Sequence, residues 1–184
     1  RPLERTSAEG GCYQSRLRVY QASCCQRQVV NHAVYGDCTT DALARFSDVI
    51  TSRAKYVFVG FSLANEGLID PFLYDTTVVS SYQNGIDRII ERIRKINAEP
   101  IIGLCYPNGM YLPDDREIIV KMNLWIQEKN VPSVGFYGAT SSPLGHWKRG
   151  YKADEWHPND FGSTAMFHSI VPSVFDAIRM GKKP

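Results

Sequence analysis

Apolar residues recur along this chain in two spacings. Residues 55–61 and 100–105 are apolar at nearly every position, as strands covered on both faces tend to be. Other stretches repeat an apolar residue every three or four positions. Leu43, Phe46, Val49 and Ile50 form one such stripe. Ile86, Ile89, Ile90, Ile93 and Ile96 form another, with Arg88, Glu91, Arg92 and Arg94 mostly on the opposite face. The pattern predicts strands at 28–31, 55–61, 100–105 and 132–136, and helices at 40–53, 84–98, 114–130 and 161–180. Start signals agree: Thr39 or Thr40 before the first helix, Pro113 and Asp114 at the third, Pro158 and Asn159 before the last. Strands alternating with helices imply an α/β fold, a three-layer α/β/α sandwich around a mostly parallel sheet.

A length of 184 residues implies a single domain, large enough to need neither disulfides nor metal. A net charge of +2, with no basic run beyond Lys182 and Lys183, argues against a nucleic-acid partner. The apolar runs are strand-sized, so no membrane span is expected. The sequence begins at Arg1 rather than Met, consistent with a processed chain or a fragment. It has five cysteines: Cys12, Cys24, Cys25, Cys38 and Cys105. None are at zinc spacing, so no metal site is expected. A disulfide from Cys38 to Cys12, Cys24 or Cys25 is open to a secreted chain and closed to a cytosolic one, which tilts the reading toward secretion. Nothing in the sequence specifies an oligomeric state.

In parallel sheets, ligands bind beyond the carboxyl ends of the strands. The segments there contain Gly36, Asn65, the 106–109 turn and, nearer the C-terminus, Asp154 and His157. An Asp three residues before a His on a tight turn can reach one ring nitrogen, fixing the tautomer of a general base. Gly36 could aim its backbone N–H into a site with no side chain in the way, and the Asn65 amide could be a second donor. Gly162 would allow close packing at the start of the last helix. Less chemistry is expected elsewhere. His32 reads as a structural histidine and His168 as a packing residue; Tyr106 and Asn108 could shape a pocket; residues 141–147 are a substrate wall or a connection.

Taken together, these segments resemble the SGNH hydrolases, the GDSL esterase/lipase superfamily. Residues 29–45, around Gly36, resemble the family's second block; residues 57–66 resemble the third, with Glu66 where the family usually has Asp; Asp154 to Asn159 resemble the fifth. The resemblance implies a flavodoxin-like fold and a serine ester hydrolase with Asp154 and His157 in a triad and Gly36 and Asn65 in an oxyanion hole. It implies acetyl or other short-acyl esters, on small molecules or carbohydrates, as substrates, and needs no cofactor. The first block, G-D-S-x-x-x-G, has its counterpart at Ser7 to Gly11, where the Ser and the second Gly keep their spacing but Arg5 and Thr6 replace Gly and Asp. Ser7 is therefore the candidate nucleophile. The alternative is a chain without the family's first strand and serine, a non-catalytic domain that binds a carbohydrate or protein. The Gly36-Asp37-Cys38-Thr39 segment imitates the first block with Cys for Ser, but reading Gly36 as the second-block glycine accounts for Asn65 and the Asp154/His157 pair as well.

Overall fold

The computed structural model describes residues 28–182, other than 71 and 74. The described residues from His32 on form one compact unit, the second of two into which the chain divides. The elements of the second unit run α1 (Thr39–Ala44), α2 (Phe46–Ser52), β1 (Tyr56–Val59), α3 (Asp75–Lys95), β2 (Glu99–Gly103), α4 (Pro113–Glu128), β3 (Ser133–Val134), α5 (Phe136–Thr140), α6 (Asp160–His168) and α7 (Ser173–Arg179). The three strands form a parallel sheet in the order β1-β2-β3, with Phe58 opposite Ile101 and Ile102 opposite Ser133.

Successive residues of a strand point to opposite faces, and β2 shows what each face carries. Ile102 packs into a core with Ile86, Ile90 and Ile93 of α3 and Ile119, Met122 and Ile126 of α4. Ile101 packs on the other side with Val134 and Phe136, against Met166, Ile170, Phe175 and Ile178 from the α6–α7 region. Helices thus cover both faces, giving the expected α/β/α layering. Among the described residues no helix is long and apolar enough to cross a membrane.

Several elements differ from the sequence expectation. Residues 28–31 have no regular secondary structure, and Val29 and Val30 are 58% and 50% exposed. The helix expected at 40–53 breaks at Arg45, which leaves helical geometry at φ −99°, ψ 16°. That break rotates the apolar stripe, so Ile50 is 51% exposed while Leu43 and Phe46 stay buried. β1 is shorter and wetter than a run of seven apolar-looking positions suggests, with Phe58 41% exposed. α3 starts at Asp75 rather than 84. Val78 and Tyr82 continue the buried stripe of Ile86 at helical spacing, but the Thr, Val and Ser residues around them have weak helix propensity and hide the signal. The last helix is two, because Pro172 lacks an N–H and disfavours helical geometry in the residue before it.

α1 meets α3 where Gly85 faces Thr39. A Cβ at Gly85 would lie 2.0 Å from the Thr39 Oγ1 and 2.4 Å from its Cβ, and Thr39 is fully buried. Alanine normally favours a helix over glycine by ~1 kcal/mol, whereas overpacking a core costs about 1–3 kcal/mol. Gly85→Ala is therefore expected to destabilise the fold, by about 1 kcal/mol net, as measured by urea unfolding. A more stable variant would show that α1 moves freely away from α3.

Candidate active site

The base pair is built almost entirely by local chain geometry. Residues 152–158 close on themselves through an antiparallel bridge between Lys152 and Pro158 and a hydrogen bond from the Ala153 N–H to the His157 carbonyl at 2.9 Å. Inside this turn the Asp154 carboxylate accepts the Trp156 N–H at 2.7 Å and the His157 N–H at 2.8 Å. It also lies 2.9 and 3.0 Å from His157 Nδ1. The imidazole hydrogen bond, followed by that from the Trp156 N–H, holds the Asp154 carboxyl below the usual carboxylate range. An ionised carboxylate can only accept, so Nδ1 carries the hydrogen and Nε2 presents its lone pair. Nε2 has no partner among the described residues.

α6 starts immediately behind this turn, as the sequence suggests. Asn159 is its N-cap, accepting the Gly162 N–H at 3.0 Å. A Cβ on Gly162 would lie 2.2 Å from the Tyr151 carbonyl oxygen, so only glycine lets the helix approach the loop this closely.

Gly36 and Asn65 sit on two other segments. Gly36, at φ +78°, is the third residue of a turn closed by the Asp37 N–H on the Val34 carbonyl at 3.4 Å. Positive φ at that position is the signature of a type II turn and suits glycine. The Gly36 N–H makes no hydrogen bond among the described residues and is exposed. Arg45, at the break between α1 and α2, holds this turn by pairing with the Asp37 carboxylate and donating to the His32 carbonyl. Asn65 lies beyond the end of β1, in a turn closed by its own N–H on the Ser62 carbonyl at 3.1 Å. It donates one amide hydrogen to the Asp37 carbonyl at 3.2 Å, and the other has no partner among the described residues.

Glu66 explains how the Gly36 and Asn65 segments stay together. Its Oε1 accepts the N–H of Thr39, the first residue of α1, at 2.6 Å. Burial raises the Glu66 carboxyl above its ordinary value of 4.5, outweighing the lowering by Thr39. A carboxyl raised in the folded state contributes stability below its ordinary value and loses it as pH rises through the folded one. Glutamine keeps an acceptor for Thr39 without the charge. Glu66→Gln is therefore expected to be at least as stable as the parent at pH 7 and to lose less stability between pH 4 and 7. Urea titrations at both pH values check this, and a variant clearly less stable at pH 7 would contradict it.

The segments converge. The Tyr35 ring, next to Gly36, stacks on the His157 imidazole with centroids 5.7 Å apart and planes 29° apart. Two residues on, the Asp37 carbonyl takes the Asn65 amide. One turn thus touches both His157 and Asn65. The sequence reading missed Tyr35, although an aromatic residue beside a rim glycine was available as a signal.

Other candidates among the described residues do not join Gly36, Asn65, Asp154 and His157. Ser7 lies outside the described residues. Cys38 carries a free thiol that donates to the Asp41 carboxylate at 3.0 Å. Burial first, then that hydrogen bond, pushes the thiol up, the opposite of an activated nucleophile. Asn108 is 2% exposed and serves its own turn, accepting the Met110 N–H at 2.9 Å. His168 is exposed rather than packed into the core, and the Nε2 of His32 is buried with no partner among the described residues. A cavity of about 590 Å³ is lined by Asp87, Glu91, Arg94 and Lys129 among others and includes none of the rim residues. Gly36, Asn65, Asp154 and His157 are instead exposed.

A family model of GDSL-like lipase/acylhydrolase proteins matches residues 5–165. No curated protein matches. Among solved structures, a GDSL-like lipase from Bacteroides thetaiotaomicron superposes with a TM-score of 0.64 at 19% identity, over 77% of this chain and 73% of the other. A proposed acylhydrolase from Bacteroides fragilis gives 0.62 at 17% identity, over 78% and 72%. An acetylxylan esterase from Geobacillus stearothermophilus gives 0.58 at 14% identity, over 73% and 66%. At these identities the structures establish a shared fold.

Proposed function

The chain belongs to the GDSL-like lipase/acylhydrolase family, and from that premise we propose that it is a serine ester hydrolase of carboxylesterase or acetylesterase type. The observation that carries the proposal is the Tyr35–Asp37 turn. It stacks on the hydrogen-bonded His157 and accepts the Asn65 amide, while the Gly36 N–H within it is unpaired among the described residues.

In this reading Ser7, inside the matched span of residues 5–165, is the nucleophile. Its hydroxyl attacks the ester carbonyl as His157 Nε2 takes the proton, and Asp154 stabilises the imidazolium that results. The Gly36 N–H, the free Asn65 amide hydrogen and the nucleophile's own N–H hold the oxyanion. The intermediate collapses when the imidazolium gives its proton to the departing alcohol. Water, activated by the same imidazole, then releases the acid from the acyl-enzyme. Every proton is handled by side chains, so the scheme calls for no metal or cofactor.

The exposed setting of the base suits a short acyl group on a bulky alcohol, a sugar among them. The acetylxylan esterase among the structural neighbours supports that substrate class. Hydrolysis of p-nitrophenyl acetate tests the proposal: the full chain should turn over and Ser7→Ala should not. Turnover that survives Ser7→Ala would remove Ser7 from the mechanism, and an inactive parent would favour a domain that binds without catalysing.

A further inference from the structure

The turn that carries Asp154 and His157 is well ordered internally, but its place on the rim depends on contacts from outside. Among the described residues, the hydrogen bonds that tie residues 152–158 to the ends of the strands all meet at one atom, the carbonyl oxygen of Glu155. It accepts the Gly109 N–H at 2.6 Å from the segment after β2. It also accepts the indole N–H of Trp147 at 3.3 Å.

Both donors are held by their own surroundings. Trp147 is 7% exposed and its ring packs on Tyr106, centroids 5.9 Å apart. It closes a short hairpin after α5, through a bridge to Ser141 and a hydrogen bond from the Lys148 N–H to the Thr140 carbonyl at 2.8 Å. The hairpin's tip is a turn with Gly145 at φ +80°. Gly109 faces the Glu155 side chain, whose Oε2 lies 1.7 Å from where a Cβ would stand. Glu155 itself is paired with Lys152 within the turn. Residues 141–147, which the sequence leaves as a wall or a connection, are thus a strut between the sheet and the base.

We propose that Trp147 and Gly109 are positioning residues, which by donating together to the Glu155 carbonyl hold the Asp154–His157 pair in register with the Gly36 and Asn65 donors. The proposal rests on the esterase reading for its kinetic consequence but not for its structural one. A base displaced by a fraction of an ångström still binds ester, and loses rate. The loss should therefore fall on kcat and spare KM.

Trp147→Phe keeps an aromatic ring and removes the donor. Losing a hydrogen bond worth about 1 kcal/mol corresponds to a factor of about 5–10. The variant should exchange the Gly109, Trp156 and His157 amides about tenfold faster, with α3 and β2 unchanged, and should lose about tenfold in kcat at constant KM. Gly109→Ala, which pushes on the Glu155 side chain without opening a cavity, should give the same signature. Adding Glu155→Ala should restore it, because the carbonyl remains and the new methyl gains room. That pair decides the matter if Trp147→Phe fails to fold.

Unchanged exchange at these amides in both variants would overturn the brace. Faster exchange with unchanged kcat in an active parent would overturn the positioning role. An inactive parent would instead sink the esterase reading, and the exchange measurement would still decide whether the brace exists.

Discussion

Asp154→Asn should lower kcat for p-nitrophenyl acetate by about 1,000- to 10,000-fold. The carboxylate is the sole side-chain partner of His157 Nδ1 among the described residues, at 2.9 Å. An ionised carboxylate dictates which nitrogen carries the hydrogen. A carboxamide can offer its own N–H to Nδ1, and the proton then sits on Nε2, where it blocks the base. The turn itself should survive, since an Asn oxygen can still accept the Trp156 and His157 N–H groups that Asp154 Oδ1 accepts now. The expected result is thus a rate defect without a folding defect, checked by steady-state kinetics beside a urea unfolding curve. The lower end of the range is expected because Asp154 is exposed, and solvent screens part of its effect on the imidazolium. A kcat within tenfold of the parent would mean that His157 does not act as the base. Asp154 should stay ionised well into acid, because its pKa is lowered by the imidazole it pairs with. Loss of activity on acidification is accordingly not expected to follow protonation of this carboxylate.

Asn65→Ala carries the second large effect, about 100- to 1,000-fold in kcat with KM little changed. The asymmetry in the two parameters follows from geometry. In the proposed mechanism, the amide hydrogen not used on the Asp37 carbonyl, which has no partner among the described residues, serves a negative oxygen that exists only after attack. It gives a ground-state ester little. Removing the side chain also leaves the Asp37 carbonyl without that donor, but the Asp37–Arg45 ion pair and the Thr39–Glu66 hydrogen bond still hold the turn. A variant that raised KM at constant kcat would place Asn65 in substrate binding instead. Gly36 has no comparable side-chain deletion, because the group proposed to act is its backbone N–H, in a left-handed turn.

What was readable from the sequence is what is decided over a few residues. Asp154 meets His157 across three positions, Asn159 caps the helix it precedes, and Gly162 allows that helix its close approach. None of these needs a distant partner. The isoleucine stripe of α3 and the buried residues of β2 were readable for a related reason, since a regular period reports which face is inward. The break at Arg45 was not, because its ion pair with Asp37 depends on the fold of the preceding turn. Asn108 looked like a pocket residue by position, yet it is enclosed and spent on its own turn. The roles proposed for Tyr35, Trp147 and Gly109 come from contacts made only once the chain is folded, with His157 and with the Glu155 carbonyl. Period and spacing carry no information about such contacts.

The most direct test of the esterase mechanism is where a serine-reactive fluorophosphonate attaches, mapped by peptide mass spectrometry on the full chain. The expected result is an adduct on Ser7 that forms readily in the parent and is nearly lost in His157→Ala, because the hydroxyl reacts only when the imidazole takes its proton. An adduct on another residue, or labelling of Ser7 at the same rate with and without His157, would contradict it.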